Sequence, residues 1–199
     1  MGKRASCLVA FLFGAIVFLQ NPLFLRNASA ATPSEEIKAT IEYAQSVLND
    51  STLSEAVKKE RVKKAAYESF DFAEMSKRVL ARHWTELTPA EQREFVTLFT
   101  ELLERVYFNR IKLIQDAKFS YSNQEVGKDL AVVRSKAATK GETFMIEYRL
   151  RFAEGKWKIY DVNVENISLV SNYRTQFNHI IATKGGIGEM LKRMREKIQ

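Results

Sequence analysis

One stretch changes from a strand pattern to a helix pattern and constrains the rest of the fold. It covers residues 157–177 and reads WKIYDVNVENISLVSNYRTQF. Up to Val164 side chains alternate as in a strand, which predicts Ile159 and Val162 on opposite faces. Beyond it, apolar residues recur every three or four positions, with Ser168 placed as a helix N-cap. An apolar sheet face and an apolar helix face should therefore border a common interior, where we expect the function.

The first 30 residues have the three parts of a secretory signal peptide. A short positive segment precedes a nearly all-apolar run over residues 7–19, and ASA at residues 28–30 forms a small-residue cleavage site. An uncleaved membrane anchor is the alternative, but polar residues and a proline at positions 20–22 interrupt the run before the roughly 20 residues that a bilayer core requires. We predict export, cleavage after residue 30, and a single domain over residues 31–199.

The composition of the mature chain argues against several classes of protein. Removing residues 1–30 removes Cys7, the single cysteine, and leaves 28 basic and 24 acidic residues, a net charge of +4. The chain has no Arg-rich run and no basic run interleaved with aromatic residues, which argues against nucleic-acid binding. The remaining length is sufficient for one domain with a core that needs no disulfides.

Helix patterns precede strand patterns in the mature chain. Predicted helices start at Pro33, at about Leu53, at Phe72 and at Pro89, and the fourth keeps one apolar face to about Ile114. Four strands follow around residues 119–121, 130–137, 144–152 and 157–164, and a last helix follows Gly185-Gly186. The short connections between the strands predict an antiparallel meander that has helices on one face.

The sequence offers little for catalysis. The mature chain has two histidines, His83 and His179, far apart and outside any metal-binding spacing, so we expect no metal or other cofactor. Ser168, His179 and Asp161 fall within nineteen residues and could form a hydrolytic triad, which leaves a secreted hydrolase as an alternative. Ser168 is better explained as a helix cap, and we predict that the protein is not an enzyme.

Two blocks of the sequence resemble the MlaC family, whose members are also called toluene-tolerance proteins. The first is FDFAEMSKRVLARHWTELTPAEQREFVTLFTELLERVY, residues 70–107, and the second is residues 157–177. The matching positions of the second block are Trp157, Tyr160-Asp161-Val162, Ser168-Leu169, Asn172-Tyr173-Arg174 and Phe177. Asn166 stands where a glycine is usual in that family.

The resemblance implies an α+β fold, with a helical layer packed on a curved, mainly antiparallel four-stranded sheet that encloses an apolar cavity. It further implies a monomeric lipid carrier in the Gram-negative periplasm. Such a carrier shuttles phospholipid, its acyl chains buried, between an inner-membrane Mla ABC transporter complex and an outer-membrane Mla lipoprotein complex, and helps to maintain outer-membrane lipid asymmetry. A carrier of another lipid, such as a hopanoid, is the alternative within the family.

Candidate lipid-binding residues follow from the apolar faces of the predicted elements. They are Phe99, Leu102, Val106, Tyr148, Leu150, Val162, Val164, Leu169, Tyr173 and Phe177. Arg174 is a candidate for contact with a lipid phosphate at the mouth of the cavity, or alternatively for a salt bridge that holds the last helices.

Overall fold

The structure is a computed structural model that describes residues 31–107 and 111–198, so the predicted signal peptide lies outside the described residues. The helices are α1 Pro33–Asn49, α2 Glu55–Ser69, α3 Phe72–Leu80, α4 Pro89–Tyr107, α5 Lys112–Gln115, α6 Leu169–Lys184 and α7 Gly186–Ile198, with a 3-10 helix at Ala81–Glu86. The strands are β1 Lys118–Val126, β2 Leu130–Ala138, β3 Thr143–Ala153, β4 Lys156–Val164 and β5 Ile167–Ser168. The predicted α+β class is confirmed.

The predicted helix starts are confirmed, and side-chain caps explain them. At α4 the Thr88 backbone N–H donates to Glu91 Oε2 at 2.9 Å, and the Glu91 N–H donates to Thr88 Oγ1 at 3.3 Å. This capping box satisfies two backbone donors that the first helical turn leaves free. The same box forms between Thr32 and Glu35 at α1, while Asp71 caps α3.

The sheet is an antiparallel meander in the order β1-β2-β3-β4-β5. The four predicted strands are confirmed, and β5 adds two residues that pair with the end of β4. Glu165 and Asn166 form the two-residue turn between them with φ values of 48° and 65°. Both values are positive, as in a type I′ hairpin turn, and asparagine tolerates this conformation better than most residues. This explains how Asn166 can replace a glycine.

A bulge in β4 changes the faces of that strand. The consecutive β3 residues Arg149 and Leu150 pair with Asp161 and Ile159, so the β4 residue between these two partners has none. The extra residue shifts the alternation by one position, and Ile159 and Val162 both join the apolar cluster on one sheet face. The prediction that strict alternation would separate them is wrong.

The helices form two groups with separate interiors. In the first, α3, α4, α6 and α7 pack on one another around an apolar centre that we call the helical core. Its buried members are Met75, Val79, Leu80, Leu87, Phe95, Leu98, Phe99, Leu102, Leu103, Val170, Tyr173, Phe177, Met190, Leu191 and Met194. In the second group α1 packs against α2 and α5 and contacts β1 and β2. The predicted apolar face from Phe95 to Ile114 is therefore divided, because Ile111 and Ile114 pack with α1 and α2.

None of the helices in the two described ranges combines the length and the apolar character that crossing a bilayer requires.

Candidate functional site

The sheet face beneath α1, called the inner face below, is apolar along successive cross-strand rows. The first row contains Tyr121, Ser135, Ile146 and Val164, the second Gln124, Val133, Tyr148 and Val162, and the third Val126, Ala131, Leu150 and Ile159. Most of these side chains form a sheet cluster together with Ile37 and Ile41 of α1. The inner face is therefore a wide apolar surface covered in part by one helix.

Helix α1 is held over the inner face by polar contacts at both ends. At its start the Ser34 N–H donates to the Gln124 side-chain carbonyl at 3.2 Å. Near its end the Gln45 amide donates to the carbonyl oxygens of Ile114 and Ala117 at 2.8 and 2.7 Å. Between these contacts Ile37 is only 2% exposed and packs on the sheet cluster. Helix α1 is thus attached at both ends and packs on the sheet through Ile37 and Ile41 between them, while Thr40 hydrogen-bonds Ser69 of α2 at 2.9 Å.

A cleft between α1, α2 and β4 reaches the sheet cluster from outside. Its volume is about 420 Å³, and its floor contains Ile37, Trp157 and Ile159. Arg61 and Lys64 also line it, and no sequence motif predicted them there. Glu36, Glu68 and Lys156 line the cleft as well, so it is not an apolar cavity. On the scale by which roughly 150 Å³ holds benzene, even its whole volume would hold about one acyl chain.

Apolar side chains are also partly exposed at the ends of β4 and α4. Val164, the last residue of the first row, is 38% exposed, as is Val106 near the end of α4. Tyr107 lies beside Tyr173 of α6, and Leu169 begins α6 directly after β5. These five residues are called the junction below. Val106, Tyr107 and Val164 in this set expose apolar side chains to solvent.

The predicted lipid-binding residues divide between the two interiors. Phe99, Leu102, Leu169, Tyr173 and Phe177 belong to the helical core, whereas Tyr148, Leu150 and Val162 belong to the sheet cluster. Val106 and Val164 lie partly exposed at the junction. The ten residues are therefore not gathered around one space, although Phe70 packs against both clusters and connects them.

The predicted lipid-binding residues that lie in the helical core pack closely on one another. The Phe99 ring meets the rings of Tyr173 and Phe177 edge to face, with centroids 5.2 and 6.0 Å apart. Such aromatic pairs stabilise a core beyond the area that they bury. Phe99 is fully buried, so its contacts are those of a core residue. Val133 and Leu150 of the inner face are fully buried as well, and the exposed apolar side chains Val126 and Val164 lie at the edges of that face.

Arg174 does not face the cleft, since it is not among the residues that line it. Its Nε donates to the Arg78 carbonyl oxygen at 2.9 Å, in the last turn of α3. A cation there complements the partial negative charge of the helix C-terminus. The predicted salt bridge is not among the ion pairs of the described residues, and Arg174 instead joins α6 to α3.

The proposed hydrolytic triad is not assembled. The Ser168 hydroxyl donates directly to Asp161 Oδ2 at 2.7 Å and accepts from the Ser171 N–H at 3.0 Å. His179 lies on the exposed surface of α6, eleven residues further, which is about 16 Å along a helix axis. Ser168 and Asp161 therefore form a helix cap. Within residues 31–107 and 111–198 no three His, Asp or Glu side chains are grouped to hold a metal ion.

Burial raises the pKa of phenols in both interiors. It raises the pKa of Tyr148 on the inner face to about 12, and the pKa of Tyr173 in the helical core to about 12. It also raises the pKa of Tyr121 at the start of the first row. The inner face therefore presents uncharged hydroxyl groups among aliphatic side chains.

Comparison with known proteins supports the same family as the sequence. The fold is similar to the solved structure of a phospholipid-binding protein from Ralstonia solanacearum in complex with a phospholipid, with a TM-score of 0.76 and 24% sequence identity over 84% of this chain and 97% of that one. The family model described as MlaC protein matches residues 38–196, which is well over half of the chain. The chain belongs to the MlaC protein family.

Proposed function

We propose that this protein binds phospholipid at the inner face and carries it through the periplasm. The observation that supports this most directly is the incomplete closure of an apolar interior. The buried inner-face residues Ile37 and Ile159 border the cleft, and Val164 at the junction is 38% exposed. Family membership and the similar fold of a phospholipid-binding protein support the same proposal.

The energetics of lipid transport require such a sheltered surface. Each CH₂ group moved from a bilayer into water costs about 0.8 kcal/mol, so two acyl chains would cost on the order of 25 kcal/mol. The cleft, of about 420 Å³, has room for only part of the volume of two acyl chains. Loading a whole phospholipid would therefore require α1 to move away from the inner face, which breaks the polar contacts at its ends and uncovers Ile37.

The route of the lipid is part of the same proposal. Export through residues 1–30 would place the mature domain, residues 31–199, in the Gram-negative periplasm. There it would act as a monomer, exchanging phospholipid between inner-membrane and outer-membrane Mla complexes and so helping to maintain outer-membrane lipid asymmetry. Neither the binding nor the transfer needs a bond to be broken, so the function needs no catalytic group.

The experiment is organic extraction of the mature protein, purified from periplasm without detergent, followed by mass spectrometry of the extract. We expect at least one intact phospholipid per protein molecule. A hopanoid instead would support the alternative cargo. An empty extract, from protein that also takes up no labelled phospholipid from vesicles, would overturn the proposal.

Paired variants locate the site in the same experiment. Val162→Gln places an amide on the inner face, whereas Val132→Gln places it on the outer face, where Val132 pairs with Arg149. We expect the first variant to lose most of its bound lipid and the second to keep it. Thermal unfolding of both variants checks that each is folded.

A further inference from the structure

One polar side chain lies fully buried within the apolar inner face. Along β2 the inward positions are Ala131, Val133, Ser135 and Ala137, all buried. The hydroxyl oxygen of Ser135 has no hydrogen-bond partner. Burying a hydroxyl without a partner disfavours folding, and native proteins seldom do so without a reason. The missing partner can come from a neighbouring side chain or from a ligand that enters the interior.

Two tyrosines border Ser135 on the neighbouring strands. Tyr121 of β1 lies directly opposite Ser135, and Tyr148 of β3 lies on the diagonal, opposite Val133. Burial raises the pKa of the Tyr148 phenol, and the nearby Ser135 hydroxyl lowers it. The two hydroxyl groups are therefore close, although they do not meet the geometry of a regular hydrogen bond. We call these three residues the hydroxyl cluster.

The hydroxyl cluster has donors that the protein itself does not use. Each hydroxyl carries one O–H donor. Even if Ser135 and Tyr148 bonded to each other, one of their two donors would remain unused, and among the described residues no other hydrogen bond involves these side chains. The three groups can thus offer at least one donor to an acceptor that enters the interior.

We propose that the hydroxyl cluster binds an ester carbonyl of the acyl lipid held at the inner face. The inference rests on the proposed lipid-binding function and specifies one polar contact within it. An ester carbonyl is uncharged and accepts hydrogen bonds without donating, so it matches a site that has free donors in apolar surroundings. It also enters the interior together with the acyl chain.

The position of the cluster orients the lipid. Ser135 and Val164 lie in the same row, two strands apart, which is about 10 Å. Ile159 at the cleft lies two rows further along the inner face. A carbonyl at Ser135 therefore places the glycerol and headgroup towards the junction and directs the acyl chains along the inner face towards the cleft.

The test compares a diester phosphatidylethanolamine with a diether analogue that has the same headgroup and chain length but no carbonyl. Affinities are measured by competition for the purified full mature chain. The wild-type protein should prefer the diester by roughly three- to tenfold, the usual effect of one hydrogen bond. Ser135→Ala should abolish this preference. Ser76→Ala should retain it, because Ser76 is an equally buried, unpartnered hydroxyl in α3, away from the inner face.

A carbonyl label gives a second readout that needs no variant. If the carbonyl accepts a hydrogen bond in the interior, the infrared band of a ¹³C-labelled ester carbonyl in the bound lipid should lie at lower frequency than the band of the same ester without a hydrogen bond. Equal affinity of the wild-type protein for both lipids, or a preference that survives in Ser135→Ala, would overturn the inference while lipid binding stands. If neither lipid binds, the proposed function fails and this inference fails with it.

Discussion

The Asp161 carboxylate on β4 accepts a 2.7 Å hydrogen bond from the Ser168 hydroxyl at the start of α6. Its other oxygen accepts from the Val170 N–H at 3.0 Å. The carboxylate is 3% exposed and faces the positive end of the α6 dipole. It thereby joins the sheet to the helical core, and this explains why a strand leads so directly into a helix at this point of the chain.

Replacing Asp161 should therefore weaken the connection between the sheet and the helical core. Asp161→Ala leaves the Val170 N–H and the Ser168 hydroxyl without their acceptor. We expect the free energy of unfolding, measured in urea, to fall by about 3 kcal/mol. Asp116→Ala, at an exposed position, should change it by less than about 0.5 kcal/mol. Equal losses of stability in the two variants would contradict the claim that Asp161 connects the sheet to the helical core.

Asp71 forms a second link between helix and sheet, and its two roles can be measured separately. One oxygen accepts from the Glu74 N–H at 2.9 Å as the α3 cap, and the other accepts from Arg151 Nε of β3 at 2.5 Å. Asp71→Ala removes both contacts and should cost about 2 kcal/mol, measured by urea unfolding. Asp71→Asn keeps a good cap and should cost less. The cap would have no measurable role if the two losses were the same.

Ala81 occupies a backbone conformation that favours glycine. At the end of α3 its φ is 48° and its ψ is −117°, and such a conformation costs a residue with a side chain roughly 1–3 kcal/mol. Ala81→Gly should therefore raise the thermal midpoint, with a gain of about 1 kcal/mol after the entropic cost of glycine.

The same change in an ordinary helical position provides the control for Ala81. Ala90 is exposed in the first turn of α4, where Ala90→Gly should destabilise by about 0.5–1 kcal/mol. We therefore predict opposite signs for the effects of the two substitutions on stability. A lower thermal midpoint for Ala81→Gly would contradict it.

Alkaline pH should destabilise the protein through its buried phenols. Burial raises the pKa of Tyr148 to about 12, against 10.0 for the ordinary phenol. Between these values the unfolded chain releases the proton and the folded chain keeps it, so this contribution is complete below pH 10 and is lost as pH rises through 12. Each such tyrosine should lower stability by about 1.4 kcal/mol per pH unit in that interval.

Urea unfolding between pH 9 and pH 11.5 measures this dependence. Other titrating groups cancel when wild type is compared with Tyr148→Phe, so the difference between the two proteins should be constant below pH 10 and should change above it. Tyr173→Phe should behave in the same way, because burial also raises the pKa of Tyr173 to about 12. Parallel stability curves up to pH 11.5 would show that neither phenol is protected by burial.

Local signals in the sequence predicted the elements because the physics that starts them is local. The pairs Thr88 with Glu91 and Ser168 with Ser171 lie within one helical turn and form as predicted. The β4 bulge leaves no such signal, since it is a change of hydrogen-bond register with β3. Strict alternation therefore assigned Val162 to the face opposite Ile159.

The sequence also could not predict that the apolar residues divide into two interiors. Periodicity shows that Phe99 and Tyr148 each lie on an apolar face, but it does not show which neighbour covers that face. In the structure other helices cover Phe99, whereas Tyr148 belongs to the sheet cluster on which Ile37 of α1 packs. Arg174 likewise donates a hydrogen bond to a backbone carbonyl of α3, 96 positions earlier in the chain. A pattern of side chains in the sequence does not predict a backbone acceptor at that distance.

The most direct test of the account is to locate a bound acyl chain. A phospholipid with a photoreactive diazirine midway along one chain would be loaded into the mature protein from vesicles, irradiated, and the labelled residues identified by peptide mass spectrometry. We predict labels on inner-face positions such as Ile146 and Val162. Labels confined to outer-face positions such as Val132 and Arg149, or to the helical core, would contradict the claim that the inner face is the lipid site.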